Sequence, residues 1–182
     1  MNQRPLWMVL AMISIGGCAG TAPPPREPSA VSASVSMRIS GSRTIYEHAT
    51  VEGNRMFGPS IDVTSYGGAY RGYAYGEVVD LRWDGDELVG RVGNGTATSL
   101  KFRELADGFD MIGTFSGGRG VLAMRSNRMI GVMGSRRFDL FTDDGVNYRE
   151  NAGRNMEVVV SPAITDLPLR DRAVVLAILL RD

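Results

Sequence analysis

The chain has one cysteine, one histidine and one lysine in 182 residues, and each scarcity excludes something. A single thiol, Cys18, closes no disulfide within the chain, so the fold must hold by packing alone. One imidazole, His48, and no second cysteine fall short of the three or four ligands of a zinc site. Neither sign of charge dominates: 20 basic residues stand against 20 acidic ones, so no global field attracts nucleic acid. Long hydrophobic runs are missing too. The longest apolar runs are about eight residues, far from the ~20 that a membrane-spanning helix needs. Aromatic residues make up only 8% of the chain, yet four of the six tyrosines fall between residues 66 and 75.

Glycine is abundant, with 23 residues, and its placement carries the fold. From Gly76 to Glu150 a strand-like run, a turn dipeptide, a second run and a glycine step recur about four times. The tips are Asp84-Gly85, Asp107-Gly108, Ser126-Asn127 and Asp144-Gly145. After the first three come Leu88-Val-Gly90, Met111-Ile-Gly113 and Met129-Ile-Gly131, and Gly117-Gly-Arg-Gly120 reads as a tight strand connection rather than an anion nest. Asp-Gly tips suit hairpin turns whose twist matches the strands. Alternation then predicts strands near 77–83, 87–92, 97–104, 109–115, 120–125, 128–133, 136–142 and 146–150. The class is all-β: an antiparallel hairpin meander of about eight or more strands, a rolled sheet or barrel, since curling removes exposed edges.

The rest of the chain is expected to pack on that meander. Residues 35–75 show only short alternation, with Gly53-Asn54 and Gly58-Pro59 as turns. Within them Tyr66, Tyr70, Tyr73 and Tyr75 are a candidate aromatic platform for a ring-shaped ligand, or else rings covering a glycine-bent strand. Met156–Val160 reads as one more strand. The end, about residues 166–181, reads as a helix, with Thr165 or Asp166 as its cap and Pro168 in its first turn. Its run Ala173–Leu180 is apolar all round and so must be buried. It is expected across a mouth or face of the sheet, or else on a partner subunit; the β-branched Val174-Val175 leaves a closing strand open.

The N-terminus reads as an address. Arg4 precedes the apolar run Leu6–Ile13, and small residues follow it, the parts of a secretory signal peptide. Ile15-Gly16-Gly17-Cys18 resembles the lipobox of bacterial lipoproteins. That resemblance implies cleavage before Cys18, a diacylglyceryl group on its thiol and a further acyl chain, commonly palmitate, on its new amino group. It implies membrane attachment through those chains, and Ala19 in place of Asp favours the outer membrane. The domain plan is therefore signal peptide 1–17, a lipidated Cys18 with a Pro/Ser/Ala-rich tether to residue 36, and one β-rich domain over 37–182. Four prolines in residues 23–28 favour an extended spacer.

Chemistry is sparse. No Gly-x-Ser-x-Gly elbow is present, and the one thiol is expected to be acylated. The acidic tips at Asp84-Gly-Asp86-Glu87 and Asp143-Asp144 fit no twelve-residue calcium loop. Met111, Met124, Met129 and Met133 suit core filling better than copper. Arg119, Arg125, Arg128, Arg136 and Arg137 form a locally basic run, expected on a solvated sheet face or facing lipid headgroups. No cofactor, metal or nucleic acid is expected. The expected function is a non-enzymatic binding or scaffolding domain in the envelope, facing the periplasm, with an envelope protein as its partner. The alternatives are a carrier of an apolar ligand in a barrel cavity, and a hydrolase using His48.

Overall fold

The computed structural model describes residues 31–39, 43–93, 97–134, 136–150, 156–160 and 162–181. Fourteen strands follow one another as an up-and-down meander. They are β1 (Val31–Ile39), β2 (Arg43–Glu52), β3 (Arg55–Gly58), β4 (Ile61–Tyr66), β5 (Ala69–Ala74), β6 (Glu77–Asp84) and β7 (Glu87–Val92). Then come β8 (Ala97–Leu105), β9 (Gly108–Phe115), β10 (Gly118–Arg125), β11 (Arg128–Met133), β12 (Arg136–Phe141), β13 (Asn147–Glu150) and β14 (Met156–Val160). Each pairs antiparallel with the next. The ring closes because β1 pairs with β2 on one side and with β14 on the other. A 3-10 turn (Pro162–Asp166) and one helix, α1 (Leu169–Leu179), end the described chain.

Hairpin chemistry and period-two alternation build this wall. Leu100 and Phe102 are buried while Ser99, Lys101 and Arg103 are exposed, and the same alternation runs through Leu122, Met124, Met129 and Met133. All four central methionines are core residues. The recurring glycines lie inside the strands expected from the sequence, β7, β9 and β11, and Gly117 (φ 77°) turns the chain from β9 into β10. At Gly90 (φ 140°) a Cβ would sit 2.0 Å from the carbonyl oxygen of Asp80 on the neighbouring strand. Gly113 meets the Ser99 carbonyl in the same way. Glycine there lets the wall bend more sharply than side chains would allow.

The buried surface of α1 decides where the helix lies. Every residue from Ala173 to Leu180 is at most 5% exposed, although a helix laid on the outside of a sheet would leave one side wet. Its ends are tied to opposite rims. Arg170 donates to the Gly85 carbonyl (2.8 Å) and to Asp86 in the β6–β7 turn. Arg181 pairs with Glu77, at the other end of β6. The chain thus leaves β14, turns at the first rim and threads α1 down the lumen to the second. The helix packs on the sheet as expected, and the face it covers is the inner one, so that the sheet wraps around α1.

Two boundaries also differ from the sequence reading. The run expected as tether up to residue 36 becomes strand from Val31, because Val31, Ala33, Val35, Met37 and Ile39 alternate with polar residues and pair along β2. The helix begins at Leu169 with Pro168 at its cap position and no side-chain cap hydrogen bond there; Thr165 and Asp166 lie in the 3-10 turn before it. Cys18, the signal segment and residues 19–30 lie outside the described residues.

Candidate functional site

The four tyrosines do not share one surface. Alternation along β5 puts Tyr70 inward and Tyr73 outward, and the Gly67-Gly68 turn leaves Tyr66 outside. Tyr66 is 87% and Tyr73 61% exposed, whereas Tyr70 is 5% exposed and Tyr75 packs against the core. The inner two serve the helix. The Tyr70 hydroxyl donates to the Asp171 carboxylate on α1 and accepts from Trp83 Nε1 at 3.2 Å. Burial, then the bond to Asp171, pushes the Tyr70 phenol well above its ordinary range, so it stays a donor. Tyr75 donates to the Leu179 carbonyl at 3.3 Å. Its φ of 55° is unusual for a side-chain-bearing residue and belongs to a tight turn with Gly76 (φ 77°). One tyrosine fastens the first turn of α1 and the other the last.

Around Tyr70 the rim is built from aromatics and charge. The Arg170 guanidinium lies 5.0 Å from the Trp83 ring centre and 5.8 Å from that of Phe102. Trp83 meets Phe102 edge to face at 5.5 Å. Beside this cluster a cavity of about 50 Å³ remains between α1 and β2–β5, lined by Val51, Met56, Val63, Val174, Val175 and Ile178 among others. That is room for little more than a water or two. The cluster fixes a helix rather than presenting a reactive group.

The remaining candidates are dispersed. His48 alternates with the buried Ala49 on β2 and so stands on the outer side of the wall, in register with Ser34 of β1. Among the described residues, no three of His, Cys, Asp and Glu gather to hold a metal ion. Of the acidic tips, Asp86 is engaged by Arg170, and Glu87 accepts from the Ser99 hydroxyl. Asp144 accepts from the Asn147 and Val146 amides (both 2.8 Å), from Asn147 Nδ2 (2.6 Å) and from Thr142 Oγ1 (2.8 Å). Those bonds, the Asn147 amide first, hold its carboxyl well below the usual range. It closes its own loop.

The outer wall carries the feature that sequence reasoning found only in part. Arg55 pairs with Asp62, Arg71 with Asp80 and Arg128 with Asp139, each across neighbouring strands. Asp110 accepts from both Arg103 and Arg125 at 2.6 Å. Bilayer-crossing barrels show the reverse arrangement, an apolar band outside and a polar lumen. The basic run was visible in the sequence; the carboxylates that neutralise part of it become neighbours only through strand register. No helix among the described residues is long and apolar enough to cross a membrane. Comparison with protein-family models, with curated proteins and with solved structures finds no match to this chain.

Proposed function

We propose that this protein is a membrane-anchored envelope lipoprotein whose barrel is a non-enzymatic binding or scaffolding domain facing the periplasm. The observation that carries the non-enzymatic part is the filled lumen: the space where a small barrel holds a ligand is taken by α1. The anchor rests on Ile15-Gly16-Gly17-Cys18 and the short apolar run before it. The first strand begins thirteen residues after Cys18, on the rim where α1 enters, so a tethered barrel would be held by one end.

The same packing weighs against a carrier. Ligand pockets measure ~300–1,000 Å³, against about 50 Å³ beside α1. A hydrolase using His48 would need a nucleophile and a carboxylate converging on it, and alternation with the buried Ala49 puts His48 on the outer wall rather than in the lumen.

Labelling with a palmitate analogue and membrane fractionation of wild type and Cys18→Ser test the anchor. Wild type should carry label and sediment with membranes, and Cys18→Ser should lose both. A variant that stays membrane-bound refutes the anchor. Affinity capture of the lipidated protein tests the scaffold: an envelope component should co-purify, and recovery of the barrel alone under mild detergent overturns that part.

A further inference from the structure

We propose that the outer face of β9–β12 is a docking surface for the anionic headgroup layer of a bilayer. The chain as a whole carries no excess charge, but this face does. One lateral row across the ladders holds Lys101, Ile112, Val121, Val132 and Arg137 side by side on β8 to β12. Ala123 and Ile130 adjoin it in the next row. Ile112 is 56% and Ile130 39% exposed, on a wall whose other face is already buried. A surface groove of about 340 Å³ runs between Val121, Ile130 and Val132, with Arg119 and Arg137 at its edges.

Around this aliphatic centre stand six cations, Lys101, Arg103, Arg119, Arg125, Arg128 and Arg137, and three carboxylates, Asp107, Asp110 and Asp139. The carboxylates are consumed locally, Asp107 by Arg125, Asp110 by Arg103 and Arg125, Asp139 by Arg128. Lys101, Arg119 and Arg137 are exposed and make no ion pair or hydrogen bond through their side chains among the described residues. Glu87 neighbours Lys101 in register, with one of its oxygens held by Ser99. Aliphatic side chains between unpaired cations match a headgroup layer: the cations meet phosphates while the branched side chains reach the acyl boundary. A second copy of the chain fits poorly, because an isologous contact would press two positive faces together.

Proximity to a bilayer rests on the anchor proposed above. Residues 19–30 reach at most ~40 Å, and an eight-residue strand is only ~27 Å long, so a tethered barrel can lie on its side. The test therefore removes the acyl chains. Residues 18–182 bearing Cys18→Ser are mixed with vesicles of phosphatidylcholine alone or with phosphatidylglycerol added, at low salt, and bound protein is measured by co-sedimentation. Binding is expected only to the anionic vesicles and should weaken with salt. Each of Lys101→Gln, Arg119→Gln and Arg137→Gln should weaken it about fivefold, and the triple variant on the order of a hundredfold. Ile112→Ser should also reduce it, and Arg71→Gln on another wall should leave it unchanged. Unchanged Trp83 fluorescence marks each variant as folded. Equal binding to neutral vesicles, no binding to either, equal loss with Arg71→Gln, or a dimer that the triple variant abolishes would each overturn the proposal. None of these outcomes bears on acylation of Cys18, which the labelling experiment decides separately.

Discussion

Threading α1 through the lumen makes a claim about consecutive residues that can be measured. For a helix lying on a sheet, substitution costs rise and fall with the 3.6-residue period, because one side is wet. In the lumen no side is spared. Val174, Val175, Leu176, Ala177 and Ile178 step round the axis by ~100° each and so point in every direction. All five are buried. Leu176→Ala removes three carbons at ~0.8 kcal/mol each and leaves a cavity, for a cost of ~3–4 kcal/mol. Val174→Ala and Val175→Ala remove two carbons each and should cost ~1.5–2.5 kcal/mol, while Ala177→Leu overpacks at ~1–3 kcal/mol. The assay is equilibrium urea unfolding, followed by Trp83, which is the one tryptophan in residues 18–182 and touches α1 through Arg170. With a slope of ~2 kcal/mol per M, Leu176→Ala should lower the midpoint by ~1.5–2 M. Aspartate at each of the five positions completes the scan. Two adjacent positions that each tolerate it within ~0.5 kcal/mol would give α1 a wet face and remove it from the lumen.

Two further outcomes follow from the wall. Gly90→Ala should cost more than ~3 kcal/mol, since its Cβ would lie 2.0 Å from the Asp80 carbonyl oxygen. Gly53→Ala, with φ 57° and open space around it, should cost only ~1–2 kcal/mol; equal urea midpoints for the two would contradict the close approach. At Asp110, burial raises the carboxyl, but the hydrogen bonds from Arg103 and Arg125 outweigh it and hold it below its ordinary range. A depressed folded pKa means that its contribution is complete above about pH 4 and is lost as pH falls through the lower folded value. Asp110→Asn should therefore unfold at lower urea than wild type at pH 7 and show a shallower decline below pH 4; parallel acid limbs would refute it.

How legible each part was in the sequence depends on how local its cause is. The hairpins from residue 77 to 150 come from turn dipeptides and alternation within a few residues, and the expected strand limits lie within two residues of those observed. Between residues 31 and 74 the same sheet continues as five strands, but Gly58 and Gly72 break the alternation and a Ser/Ala-rich run read as tether. That α1 is buried was legible from its apolar circumference; that it lies inside the wall was not. Eight strands close on side chains alone. Fourteen, ~4.8 Å apart, give a radius of ~11 Å even before tilt, enough for a helix ~10–12 Å across. Only the full strand count reveals the space. Among the tyrosines, the odd spacing of Tyr70 and Tyr73 already puts them on opposite faces, whereas Tyr66 is referred to them only through the Gly67-Gly68 turn.

The division of labour between lumen and wall says where binding specificity can reside. Exposed ion pairs such as Arg55–Asp62 and Arg71–Asp80 contribute ~0–1 kcal/mol each, so they do not hold the barrel together. Closure of the ladder and packing on α1 do, and nearly every substitution there costs stability. On the wall the reverse holds: Lys101, Arg119 and Arg137 make no ion pair or hydrogen bond through their side chains among the described residues. Charge can be added or removed at those positions while Trp83, on the far side of the sheet, still reports an intact core. A protein whose interior is committed to its own helix can acquire or lose a binding partner only through side chains of that kind. For this reason a loss of vesicle binding in the triple glutamine variant would be attributable to the surface itself rather than to unfolding.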